Sequence, residues 1–502
     1  MTRTLLIFVV CFLLVACAAP AASQSIPSAT SNIASETPAP AASATAAQTD
    51  TPAPVPATLA PDLVRPQYVL DLQLNYFAKV ATVNETITYP NWTGETLDTL
   101  VLAVEPNLWS GGFSLTSLNV DGQPVTNASI DALSQKLSVP LPQPLAPSGT
   151  VTLVLDYGLV LPQMQAYSNP NEVRPQIYGF SDRQVNLVEW YPFVVPYMPG
   201  QGWLLHNPWF YGEHLAYDQA DFDVTVTLTD DTQPQIAASG AETSATTAGS
   251  RRFVLEAGRT FALSMSTDFK VATQQVGDVT VYSYYFGIYD QPGQALLQAT
   301  AQAIQVFSEK FGPYRYKTLT AVQGDFNDGM EFSGLYFISR DYFNLYKGDP
   351  KNYLITIGAH ETAHQWWFDS VANDQGLEPW LDEAMATYSE VIFYENVYPE
   401  LVDWWWGYRY FEFLQPGPVD TAIYDGGGQR PYWDKVYLTG ARFFQVLRER
   451  LGDDIFFAFI RDYYAQYNGR RATGADFFRV LREHTAADLS DLMQQYFKNS
   501  YP

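Results

Sequence analysis

Two histidines four residues apart, in His360-Glu361-Thr362-Ala363-His364, and a further glutamate, Glu383, beyond residues 365–382 constrain this chain of 502 residues more than any other feature. On a helix of about 3.6 residues per turn, His360 and His364 project from one face and can reach one cation, while Glu361 sits one residue round, within reach of a water beside it. Two neutral imidazoles and one carboxylate leave a fourth tetrahedral position open, the mark of a catalytic rather than a structural zinc site. The alternative, ordinary polar residues on a solvated helix, is weakened by the scarcity of histidine, of which the chain has five. The flanks can bury such a helix: Tyr353, Leu354, Ile355 and Ile357 precede the motif, and Trp366, Trp367 and Phe368 follow it. A second helix is expected to start near Glu378-Pro379, proline being suited to a first turn, and it carries Glu383 and Glu390 on one face. The expectation is one zinc ion held by His360, His364 and Glu383, with Glu361 as general base. Glu390 is placed to support a ligand, an exposed carboxylate being the other reading.

The N-terminus reads as an address. Arg3 and the apolar run 5–15 form an export signal, expected over residues 1–16, too short to cross a bilayer as an ordinary helix. It ends in Leu14-Val15-Ala16-Cys17, which resembles a bacterial lipobox. Cys17 is therefore the expected lipidated first residue, and the mature protein is expected in the cell envelope, outside the cytoplasm and anchored to a membrane through that lipid. A signal cut at Ala18 or Ala19 without lipid is the alternative. The only other cysteine, Cys11, falls within the signal, so no internal disulfide is expected. Residues 17–65 are mostly Ala, Pro, Ser and Thr, cannot bury a core and are expected to be a disordered tether. The net charge of −25, from 28 basic and 53 acidic side chains, argues against nucleic acid as a partner and is compatible with neutral or cationic peptides, although solubility alone accounts for it more simply.

Residues 66–272 alternate in short runs, for example 68–74, 81–89, 99–104, 151–157 and 222–228, and predict an antiparallel β sandwich or saddle. Within it, His206 and His214 match no common ligand spacing, and a second metal site there is not favoured. Residues 273–502 carry mostly helical patterns, at 291–311, 436–451, 455–467 and 474–497, with strands near 318–322 and 335–339. Gly426-Gly427-Gly428 reads as a loop, without the strand before and helix after that a phosphate-binding turn needs.

These residues make the chain resemble the aminopeptidase N family of zinc peptidases, whose pattern is HExxH, eighteen residues, then Glu within a W-L-N-E-G-type segment. Here that segment is Trp380-Leu381-Asp382-Glu383-Ala384. Asp328-Gly329-Met330-Glu331-Phe332 stands where the family has its amine-anchoring G-x-M-E-N, matching at Met330 and Glu331. Tyr437-Leu438-Thr439-Gly440-Ala441 stands where the family has Y-x-K-G-A, with Thr439 in place of lysine. The resemblance covers residues 68–502, more weakly in the β-domain, without the large C-terminal helical domain of longer members. It implies a multi-domain fold in which the β sandwich or saddle is followed by a thermolysin-like α+β, mostly helical catalytic domain. It also implies Tyr437 as a catalytic oxyanion donor, with Tyr432 its nearest rival, and Glu331 as the anchor for a substrate ammonium, with Gly329 and Met330 beside the peptide. The activity implied is hydrolysis of the N-terminal peptide bond of peptides. An endopeptidase or another zinc hydrolase with an open cleft is the alternative, and a non-catalytic binding lipoprotein a more distant one.

Overall fold

The computed structural model describes residues 65–164, 176–245, 247–410 and 416–501. The export signal and tether expected from the sequence, with Cys17, fall up to residue 64 outside the described residues. No helix among the described residues is long and apolar enough to cross a membrane.

The N-terminal sheets follow from period-two burial. In the strand Gln67–Asn75, Tyr68, Leu70, Leu72 and Leu74 are buried while the residues between them face outward. This strand pairs antiparallel with Val80–Pro90 and parallel with Ala220–Leu228, at the centre of an eight-stranded sheet. The expected antiparallel sheet is thus mixed at one pair, because two parallel neighbours need a long crossover and the intervening chain supplies it. Two four-stranded sheets and a two-stranded one complete this part of the molecule, and the inward side chains of the four-stranded sheets share one apolar core with the large sheet.

The C-terminal half is built on a five-stranded sheet in the order Phe269–Val276, Val279–Phe286, Thr318–Gln323, Leu335–Ile338 and Met330–Phe332. Its first hairpin straddles the boundary at 272/273 expected from the sequence. Val279–Phe286 is rich in β-branched and aromatic residues, which favour the extended chain although the helical signals begin immediately afterwards. It runs parallel to Thr318–Gln323, with the helix Asp290–Lys310 as the crossover. Met330–Phe332 is the edge strand, and Met330 and Phe332 pack into the same core as the N-terminal sheets.

A second core holds the helices. Trp380 is fully buried at the start of the helix Trp380–Val397 and meets Phe443, Phe477, Phe478 and Phe497 with centroids 5.1–6.4 Å apart. The expected run 474–497 is two helices, Gly474–His484 and Ser490–Tyr496. Between them Thr485 and Asp488 turn their side chains onto the nearby backbone N–H groups of Ala487 and Ser490, a local alternative to helix. The expected run 436–451 opens with a π-helical turn, Asp434–Thr439, before the α-helix Gly440–Leu451.

Candidate active site

The helix Tyr353–Ala363 is started by Asn352, whose side chain accepts from the Leu354 N–H, and it ends at His364. It is buried on nearly every side, so its position is set by packing all round rather than by one apolar stripe. The helix Trp380–Val397 crosses it and delivers Glu383. Glu383 Oε2 lies 3.3 Å from His360 Nε2 and 3.6 Å from His364 Nε2, and one ligand atom from each residue falls within 4.8 Å of the others. A zinc tetrahedron with bonds of about 2.0–2.2 Å has edges of about 3.3–3.6 Å, so the glutamate oxygen already stands at the separation from each histidine that a single zinc requires. The donor set is the expected one.

The outer ring nitrogens are held by carboxylates. His360 Nδ1 is 2.9 Å from Glu390 Oε1, and His364 Nδ1 is 2.6 Å from Asp382 Oδ1 and 3.1 Å from the Trp367 carbonyl. A proton on each Nδ1 leaves each Nε2 lone pair pointing inward, the tautomer a metal needs. Glu390 is completely buried and also accepts from Trp405 Nε1 at 2.8 Å and from Arg409. Burial works against its charge, yet Arg409 and His360 keep it below the usual carboxylate range. Burial, reinforced by Glu213, Asp382 and Glu331 against the pull of His364, drives Glu383 well above the usual range. Burial pushes His360 down to about 4, whereas around His364 it is overcome by Glu331, Asp382 and Glu383, which strongly favour a cation there. A cluster so rich in buried carboxylates is short of positive charge, which a divalent ion supplies.

Glu361 is buried, and its Oε2 accepts no hydrogen bond. Gly329 approaches it so closely that a Cβ there would stand 2.2 Å from Glu361 Oε1, so a side chain at this position would displace that carboxylate. Two residues on, Glu331 is buried on the edge strand and accepts from Gln375 Nε2 at 3.1 Å. The same Gln375 nitrogen donates to Asp382 Oδ2 at 2.9 Å, tying the glutamate to the carboxylate that holds His364. Burial raises Glu331 to about 8, with Glu213 and Asp382 adding to the rise and His364 opposing it. A cation arriving beside it restores the charged carboxylate.

Tyr437 stacks parallel to His360, 6.1 Å between centroids, with Tyr432 edge-on behind it at 5.8 Å. Tyr437 is partly exposed, whereas Tyr432 is fully buried and its hydroxyl has no partner among the described residues. The tyrosine reaches this place because Gly440 lets its helix settle onto the glutamate helix: a Cβ on Gly440 would be 2.3 Å from that of Ala384. His206 and His214 do not form a metal site. His206 pairs with Asp374 at 2.8 Å and His214 with Gln135 at 3.1 Å. Three residues of the site were not singled out from the sequence: Asp382 as the partner of His364, Gln375, and Glu213. Asp382 carried a signal, standing where the W-L-N-E-G pattern has asparagine. Glu213 comes from an irregular segment of the N-terminal part and reaches the zinc cluster only through the tertiary fold.

Residues 295–496 match the family model described as the Peptidase family M1 domain. Aminopeptidase N of Lactobacillus helveticus is 25% identical over 232 residues, which is 41% of this chain and 26% of that protein. Endoplasmic reticulum aminopeptidase 1 of Homo sapiens is 29% identical over 202 residues, 36% of this chain and 21% of that protein. The chain thus spans about a quarter of the length of these curated relatives. Among solved structures, an M1 zinc metallopeptidase from Deinococcus radiodurans superposes with a TM-score of 0.63 at 20% identity, covering 87% of this chain and 96% of that one. A variant of the same protein, TM-score 0.61 at 20% identity with the same shares of each chain, is described as bound to a Tyr-Ser-Ala substrate. The two-part architecture of N-terminal sheets followed by a helical α+β half is shared with those structures.

Proposed function

We propose that this chain, a member of peptidase family M1 through residues 295–496, is a zinc-dependent aminopeptidase that removes the first residue of peptides. The observation that carries this reading is Glu331, a buried carboxylate on the edge strand beside the general base, where the ammonium of an extended peptide would end. When held by His360, His364 and Glu383, zinc supplies the Lewis acid that polarises the scissile carbonyl and acidifies the attacking water. Glu361, with Oε2 free of other bonds, accepts the proton of that water and passes it to the departing nitrogen. Gly329, lacking a Cβ, leaves the Glu361 carboxylate in place. Tyr437 donates its hydroxyl to the carbonyl oxygen as charge gathers there, and burial together with Glu383 and Glu213 keeps that hydroxyl protonated. Glu331 and Glu213 receive the ammonium, and Gln375 fixes the Glu331 carboxylate for it.

The test is a set of paired reporters, free and N-acetylated, on the purified protein before and after chelation. Free-amine reporters are expected to be cleaved, with loss on chelation and recovery on adding zinc. Acetylation should cost about two to three orders of magnitude in kcat/KM, the consequence of leaving a buried carboxylate without its partner. Equal cleavage of both forms would make the protein an endopeptidase instead.

The choice of tyrosine has its own check. Tyr437→Phe is expected to lower kcat by about 10²–10³-fold with little change in KM, as for removal of one oxyanion donor. Tyr432→Phe should leave kcat close to that of the parent protein, since its hydroxyl meets no partner. The reverse pattern would assign the role to Tyr432.

A further inference from the structure

The space beyond Glu331 carries information about the substrate itself. A cavity of about 290 Å³ opens there, at the small end of ligand pockets and of a size for one large side chain. Trp109, Tyr178 and Phe210 line it with apolar surface, and four carboxylates, Glu105, Glu189, Glu213 and Glu331, line it with charge. No lysine or arginine lines it among the described residues, and His214 is its only basic ring.

Glu331 and Glu213 are accounted for by the ammonium; the other two are not. Glu105 begins a short 3-10 turn of the N-terminal part and is only 9% exposed, and its Oε2 accepts no hydrogen bond. His214 Nε2 stands 3.7 Å from that oxygen, an ion-pair contact too long for a hydrogen bond, and lies 3.1 Å from Gln135 Oε1. A desolvated carboxylate oxygen without a donor is costly, and such groups recur where a ligand brings the donor. Glu189 stands in a left-handed backbone conformation, φ +50°, which is unusual for a residue with a side chain, and its carboxylate accepts from the Tyr217 hydroxyl.

We infer that this cavity takes the side chain of the substrate's first residue and selects arginine or lysine. The inference rests on the aminopeptidase reading, since it is the ammonium on Glu331 and Glu213 that turns the first side chain into the cavity. A long cationic side chain lays its methylenes along the aromatic walls and presents its head to Glu105 and Glu189. Arginine, with five donors in a planar fork, satisfies a buried carboxylate oxygen better than lysine does. An acidic first residue meets the like charges of Glu105 and Glu189 in the same space.

The experiment measures kcat/KM of the zinc-loaded protein for arginyl, lysyl, leucyl, phenylalanyl and glutamyl reporters carrying the same leaving group. Arginyl and lysyl reporters should exceed the leucyl one by about tenfold or more, with the glutamyl one the poorest. Glu105→Gln should lower the arginyl-to-leucyl ratio by about tenfold, and Glu189→Gln serves the same purpose if the first variant does not fold. A wild type that cleaves leucyl or phenylalanyl reporters as well as arginyl ones overturns the inference and leaves the aminopeptidase reading intact. So does a ratio unmoved by a folded variant. Failure to cleave any free aminoacyl reporter removes the aminopeptidase reading and this inference with it.

Discussion

Glu361→Gln is expected to keep its zinc and to lose about 10²–10⁴-fold in kcat, the contribution typical of a positioned general base. The separation of the two effects follows from where the residue sits. None of the three donor atoms that converge within 4.8 Å belongs to Glu361, so the metal loses nothing when the carboxylate becomes an amide. Glutamine also keeps the shape of the side chain that lies beside Gly329. What disappears is an oxygen that can take a proton. The measurement is metal content beside single-turnover and steady-state rates. A variant that holds zinc and retains more than a tenth of the parent kcat would show that the proton goes elsewhere.

The second large effect is a loss of discrimination rather than of rate alone. In the parent protein, free-amine peptides are expected to be favoured over acetylated ones, since Glu331 is buried and its neighbours are mostly acids. Glu331→Ala should lower kcat/KM for the free-amine reporter by about two to three orders of magnitude, matching the roughly 3–5 kcal/mol set by leaving one partner of a buried pair uncompensated. The acetylated reporter should change far less, so the two converge. Zinc content is the control for collateral damage, because Gln375 connects Glu331 to Asp382 and hence to His364. Preserved discrimination in a zinc-loaded Glu331→Ala protein would remove Glu331 from substrate recognition.

The zinc donors and the general base were legible in the sequence because their chemistry is local: His360, Glu361 and His364 share one short motif, and Glu383 sits in a conspicuous tryptophan-led segment. The strands of the N-terminal part were legible for a similar reason, since each alternates on its own. Less was legible where meaning depends on contact. Glu213 looks like any glutamate in an aromatic stretch, and its electrostatic effect on Glu331 and Glu383 exists only after residues far apart in the chain are brought together. Gln375 carries no titratable group and no motif, yet its one nitrogen joins two carboxylates. Gly440 and Ala384 read as small helical residues, and only their near-contact explains how Tyr437 comes to lie over His360. The break after His484 was hidden because Thr485 and Asp488 are tolerable in a helix and stop it only by bonding their own backbone.

The edge strand Met330–Phe332 is a shared wall: Glu331 points to the chemistry while Met330 and Phe332 are sealed into the core of the N-terminal sheets. The β part is therefore no interchangeable escort that could be swapped for another carrier while the peptidase stays as it is. A substitution deep in those sheets, remote from any metal donor, would be felt first as a change in which peptides are recognised. The two halves are consequently bound to diverge together, and the hallmark of that history should be sought in paired changes across the wall rather than in either half alone.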